Sequence, residues 1–213
     1  MPPASSDLQI RDGEVDTAAA AEYEVTRRDM VRRGLFAGGA AVLAATSIPL
    51  LLRVSNAFAK AEDDAAILQA AVGIEQIAVF AYGRAVKSGL LDRETNRICE
   101  RFGAHEQEHA NGLTAALQAL GGMPPAKPRS LSDLDAVQRG LGDARSQADV
   151  VNFAIELEMA GIAAYYDAQL KLKDAQLLQT GASIMANEGQ HLVVLRQAVK
   201  KPPVPNAFET GEK

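Results

Sequence analysis

Two short motifs, Glu106-x-x-His109 and Glu188-x-x-His191, constrain the fold more than any other feature of the sequence. Residues three apart on an α-helix are separated by about 4.5 Å along its axis and lie on one face. Each motif therefore presents a carboxylate and an imidazole to the same side of a helix. The chain contains three histidines in 213 residues, and two of them occur in these motifs. The repetition indicates one site built by at least two helices.

The two motifs belong to a longer internal repeat. Glu75 lies 31 residues before Glu106, and Glu158 lies 30 residues before Glu188. Each of these preceding glutamates is followed seven residues later by a tyrosine, Tyr82 and Tyr165 respectively. Spacing alone thus gives the order Glu, Glu-x-x-His, Glu, Glu-x-x-His, which predicts two related halves.

Apolar residues recur at alternating steps of four and three, which is typical of helices packed in a bundle. They predict helices at about 64–88, 92–120, 147–172 and 174–199. Residues 121–146 contain three prolines and are predicted to be a loop with a short helical turn near 131–140. Two short connections and one long one predict an all-α, ferritin-like four-helix bundle with one crossover between helices 2 and 3. The bundle is assigned to 60–201, and 202–213 to a proline-containing tail.

The same steps place six ionisable side chains where a bundle needs apolar ones. An unpaired buried carboxylate costs several kcal/mol, and four would exceed the roughly 5–15 kcal/mol stability of a domain. Lys and Arg form no matching row, so neutralisation must come from protons or from metal ions. Two divalent ions would balance the charge of four carboxylates. Oxygen and imidazole donors suit iron or manganese. The single cysteine, Cys99, is predicted to be a buried apolar residue. The predicted ligands are Glu75, Glu106, His109, Glu158, Glu188 and His191.

Three other side chains compete for these roles. Glu108 and Glu156 fall outside the apolar seams and are predicted to be solvated or to lie behind the ligands. His105 is one turn from His109 but has no counterpart in the second half, so it is left out of the ligand set. Tyr82 and Tyr165 are interpreted as donors to a carboxylate ligand on a neighbouring helix, with an ordinary core aromatic as the alternative.

The region 64–209 resembles the ferritin-like superfamily, in particular exported bacterial ferritin-like proteins related to desiccation-associated proteins and, more distantly, rubrerythrins. The resemblance is carried by Ile74-Glu75-Gln76, Phe80-Ala81-Tyr82, Ala104-His105-Glu106-Gln107-Glu108-His109, Glu158-Met159-Ala160-Gly161-Ile162-Ala163-Ala164-Tyr165, Ala186-Asn187-Glu188-Gly189-Gln190-His191 and Val204-Pro205-Asn206-Ala207-Phe208-Glu209. It implies that Glu75 and Glu158 are terminal ligands and that Glu106 and Glu188 bridge. His109 and His191 would each hold one metal ion. The chain departs from rubrerythrins in having no four-cysteine electron-transfer domain.

The expected function is that of a di-iron carboxylate protein reacting with O₂ or H₂O₂, as a ferroxidase or peroxidase in oxidative-stress protection. Two alternatives stay open: a metal-binding or iron-storage protein, and a desiccation-related structural protein without turnover. Enzymatic activity is therefore undecided at this point. The net charge of -5 argues against a nucleic-acid partner, and a homo-oligomer is compatible with the sequence.

The N-terminal region is typical of an export signal. Residues 1–25 are polar and predicted to be disordered. Arg27 and Arg28 then precede an uncharged stretch, 34–52, and a small-x-small site ending at Ala59. This order predicts a twin-arginine signal peptide, cleavage after Ala59, and a periplasmic or otherwise extracytoplasmic mature protein that does not span the membrane. The alternative is an uncleaved membrane anchor formed by 34–52.

Overall fold

The computed structural model describes residues 63–134 and 138–211, together with the backbone of 10–11 and 14–15. The chain divides into two compact units, 1–44 and 45–213. In the first unit, Ile10–Arg11 pairs antiparallel with Glu14–Val15, a two-residue pairing that the sequence did not predict. The predicted twin-arginine pair, the apolar stretch 34–52 and the cleavage site at Ala59 lie outside the described residues, as does the rest of the segment predicted to be disordered.

The described residues of the second unit form four long α-helices, which confirms the predicted all-α bundle. They are α1 (Asp64–Val86), α2 (Arg93–Ala119), α3 (Gln147–Ala168) and α4 (Ala175–Ala198). Helices α1 and α2 pack together, α3 and α4 pack together, and α1 also contacts α3 while α2 contacts α4. The long connection joins α2 to α3 and contains short 3-10 helices at Leu131–Asp133 and Gln138–Asp143. The crossover is thus where the sequence predicted it.

A side-chain cap begins each long helix. The residues Asp63, Asp92, Ser146 and Asp174 accept hydrogen bonds from backbone N–H groups of the first turn, at 2.7–3.2 Å. Such caps satisfy donors that have no partner within the helix. Helices α1 and α3 end two and four residues earlier than predicted. In α3 the reason is a tightened turn, in which Lys171 N–H donates to Ala168 O at 3.0 Å.

Helix α1 is long and apolar enough to cross a membrane by length and composition. Its apolar window is, however, 56% buried inside the protein. Ile67, Leu68 and Val72 pack in the common core, as expected for a helix of a soluble bundle.

The C-terminal tail folds back on the bundle. Arg196 Nη1 on α4 lies 3.0 Å from Glu209 Oε2 in the tail. Gly211 has a positive φ of 75°. A Cβ atom there would lie 2.2 Å from Met159 O and 2.5 Å from Ala163 N, both on α3. Only glycine fits both the backbone conformation and the close approach, so the tail is fixed to α3 and α4 at its far end.

We predict that Gly211→Ala releases this tail. The matched control is Gly121→Ala, since Gly121 also has positive φ (79°) but no atom within 4 Å of its would-be Cβ. The control carries only the backbone strain of about 1–2 kcal/mol. Limited trypsin digestion followed by mass spectrometry should show faster cleavage after Lys200 in Gly211→Ala than in Gly121→Ala. Equal cleavage rates would contradict the docking of the tail.

Candidate metal centre

All six predicted ligands meet in the centre of the bundle. Each helix supplies its share: Glu75 from α1, Glu106 and His109 from α2, Glu158 from α3, and Glu188 and His191 from α4. The four glutamates and His191 are buried. His109 keeps 14% of its side chain exposed, against 1% for His191, so the centre is closer to solvent on the His109 side.

The six side chains form two overlapping groups, and within each group one donor atom per residue lies within 4.8 Å of the others. The first group is Glu75, Glu106, His109 and Glu188, and the second is Glu106, Glu158, Glu188 and His191. Glu106 and Glu188 belong to both. The arrangement offers two adjacent sites for an ion with two carboxylates shared between them.

The donor atoms face one another without satisfying one another. His109 Nδ1 lies 3.2 Å from Glu188 Oε1, and His191 Nδ1 lies 3.2 Å from Glu106 Oε1. All four atoms are buried, and none has a hydrogen-bond partner among the described residues. Two neighbouring ligands of one divalent ion, each about 2.1 Å from it, lie about 3 Å apart. Buried polar atoms normally have a partner, so this donor set fits metal ions.

Two tyrosines connect the halves. The Tyr82 hydroxyl donates a hydrogen bond to Glu158 Oε1, and the Tyr165 hydroxyl donates one to Glu75 Oε1. Both bonds run between α1 and α3. Burial, followed by the charge of the contacted glutamate, raises the pKa of each tyrosine well above its usual value. The hydroxyls therefore stay protonated and act as donors to the two carboxylates that are not shared.

Glu75 and Glu158, which each belong to one donor group, are the outer carboxylates, and the two shared glutamates are the inner ones. The pKa shifts differ between the two sets. Burial raises the pKa of Glu75 and of Glu158 well above the usual value. Burial opposes ionisation of Glu106 as well, but its contacts with His109 and His191 lower its pKa overall. Although burial lowers the pKa of each imidazole, the surrounding carboxylates raise it to about 12 for His109 and about 11 for His191. Protons thus take up the charge that divalent ions would otherwise balance.

His105 contacts the centre from outside it. Its Nδ1 lies 2.9 Å from Nε2 of His191, and the Phe102 ring stacks on His191 with centroids 3.9 Å apart. His105 belongs to neither group of donors. The sequence did not identify this contact, because it depends on how α2 packs against α4. Glu108 is exposed, and neither it nor Glu156 belongs to either group.

Comparison with known proteins agrees with this architecture. A family model described as "Ferritin-like domain" matches residues 63–201. The crystal structure of a conserved hypothetical protein, rv2844, from Mycobacterium tuberculosis aligns with a TM-score of 0.54 at 17% identity, covering 73% of this chain and 99% of that chain. At this identity the likeness concerns the fold alone. No curated protein matches the sequence.

We predict that Tyr82→Phe and Tyr165→Phe each weaken divalent-metal binding about tenfold, because groups that orient ligands typically contribute 10- to 100-fold. The control is Tyr166→Phe, which changes the adjacent tyrosine, 48% exposed. Titration with Mn(II), followed by electron paramagnetic resonance of the free ion, gives the affinities. If all three variants bound like wild type, the hydroxyls would not orient the carboxylates.

Proposed function

The chain belongs to the ferritin-like domain family, and from that premise we propose that its six clustered side chains bind two divalent metal ions. Iron is the expected metal, and manganese is the alternative, because the donors are carboxylate oxygens and imidazole nitrogens. The observation that carries the proposal is the sharing of Glu106 and Glu188 between two groups of converging donors. Shared carboxylates are what a pair of adjacent ions requires.

Each residue has a distinct part in this proposal. Glu75 and His109 would hold one ion, and Glu158 and His191 would hold the other. Glu106 and Glu188, which belong to both groups of donors, would be shared by the two ions. Tyr82 and Tyr165 fix the orientation of the outer carboxylates through the hydrogen bonds between α1 and α3.

We propose that the centre reduces O₂ or H₂O₂ in oxidative-stress protection. A pair of iron(II) ions supplies, when bound, the two electrons that with two protons convert H₂O₂ to two water molecules. The protein contributes four carboxylates and one imidazole, that of His191, which are buried from bulk water. The partly exposed edge at His109 is the side from which a small oxidant can enter. The tyrosine hydroxyls hold their protons at the rim of the centre, where they keep the carboxylates in place.

Glu106→Gln tests the centre, with Glu108→Gln as the matched control on an exposed side chain two residues away. We expect wild type and Glu108→Gln to bind two iron ions per chain under anaerobic conditions and to consume added H₂O₂. Glu106→Gln removes a ligand shared by both ions, so the rate of H₂O₂ consumption should fall roughly 100-fold or more. This exceeds the typical effect of changing a residue that only orients a ligand.

Two results would contradict the proposal. Peroxide loss by wild type no faster than by Glu106→Gln would exclude the redox function. Uptake of hundreds of iron ions per assembly would favour storage instead.

We also propose that the protein is exported by the twin-arginine route and acts outside the cytoplasm. The support is the order of the arginine pair, the uncharged stretch 34–52 and the small-x-small site ending at Ala59. This route carries folded proteins, so metal could be loaded before export.

Replacing Arg27 and Arg28 together by Lys should leave the protein in the cytoplasm of a bacterium that has twin-arginine machinery. The control replaces Arg32 and Arg33 by Lys, which keeps the same charge and should export normally. Cell fractionation and N-terminal sequencing check both, with Lys60 expected as the first residue of the exported form. Equal export of the two variants would contradict this route, and an intact chain in the membrane fraction would favour the anchor.

A further inference from the structure

A basic cavity of about 460 Å³ lies on the flank of the bundle, between α1, α2 and the start of the crossover. Four cationic residues line it: Arg84, Lys87, Lys127 and Arg129. None of the residues described as lining it is acidic, although the chain as a whole has a net charge of -5. Such a concentration of one sign in a concave site attracts ions of the opposite sign.

The cations are available to a ligand. Within the described residues, Arg84, Lys87 and Lys127 form no ion pair. Arg84 and Lys87 also line a neighbouring cavity of about 340 Å³. These two side chains are thus shared by two concave surfaces and can pair with an anion in the larger one.

The wall supplied by the crossover is held in place. Asp133 Oδ2 accepts hydrogen bonds from the backbone N–H groups of Arg129 and Ser130, at 2.8 and 3.0 Å. The preceding prolines restrict the chain, and Pro125 packs toward Gly73 of α1. The positions of Lys127 and Arg129 are therefore set by the backbone and not by a free loop.

Uncharged residues complete the lining of the cavity. Gln76 and Gln107 supply amide groups from α1 and α2, and Val79 and Phe80 supply apolar surface. Small-molecule sites typically combine apolar walls with a few polar groups. The lining therefore suits an anion with a carbon skeleton that the apolar side chains can contact.

We propose that this cavity binds a small organic oxyanion, a carboxylate or a phosphate ester. The arginine and lysine side chains pair with the anionic groups, and Val79 and Phe80 contact the carbon skeleton. The volume lies within the range of small-molecule sites. The site is separate from the six clustered donors, so it stands or falls independently of metal binding.

The test is isothermal titration calorimetry of the full chain as purified, with succinate, glucose 6-phosphate and inorganic phosphate as probes. Succinate and glucose 6-phosphate distinguish the two kinds of oxyanion, and inorganic phosphate lacks a carbon skeleton. We expect succinate or glucose 6-phosphate to bind, and to bind more tightly than inorganic phosphate. Added salt should weaken the binding because the cations are exposed.

The decisive variant is Arg84→Gln/Lys127→Gln. Its matched control is Arg101→Gln/Lys173→Gln, which removes the same charge at two exposed positions outside the cavity. Loss of two charge-assisted hydrogen bonds should weaken binding about tenfold or more, whereas the control should bind like wild type. Equal weakening in both variants, or no binding of any probe, would overturn the proposal.

Discussion

The structure depends on how four carboxylates and two imidazoles are accommodated inside a helical bundle. Isolated charges at such depth would cost more free energy than a domain of this size has available. The protein meets the constraint by drawing donors from all four helices, so that their charges compensate within one cluster. The reciprocal Tyr82–Glu158 and Tyr165–Glu75 hydrogen bonds then tie α1 to α3. The hydrogen bonds that orient the carboxylates of the polar centre therefore also hold the two halves of the bundle together.

Helical periodicity explains why much of this could be predicted from the sequence. A seam of apolar residues fixes the direction of every side chain on a helix, so an acidic residue in that seam, such as Glu106 or Glu188, must face inward. The internal repeat added the expectation that both halves contribute alike. The four helices and the crossover are confirmed, and the six side chains do converge. Their action as metal ligands, and the export of the protein, remain predictions.

Some contacts join residues that are far apart in the sequence, and their exact partners could not be predicted because they depend on how the helices and the tail pack. Each tyrosine hydroxyl was expected to donate to a carboxylate on a neighbouring helix, but the spacing did not indicate which one; the acceptor is the glutamate of the other half that precedes its tyrosine by seven residues. His105 was left out of the predicted ligand set because the second half has no equivalent histidine. Its contact with His191 follows from the packing of α2 against α4. The docking of Gly211 on α3 similarly requires knowing where the tail returns. Sequence spacing carries no information on these distances.

Anomalous X-ray diffraction at the iron edge, from crystals of the iron-loaded protein, tests the central claim most directly. The account predicts two peaks per chain, one beside Glu75 and His109 and the other beside Glu158 and His191, with Glu106 and Glu188 contacting both. Peaks confined to the protein surface, or no peak among the six side chains, would contradict it.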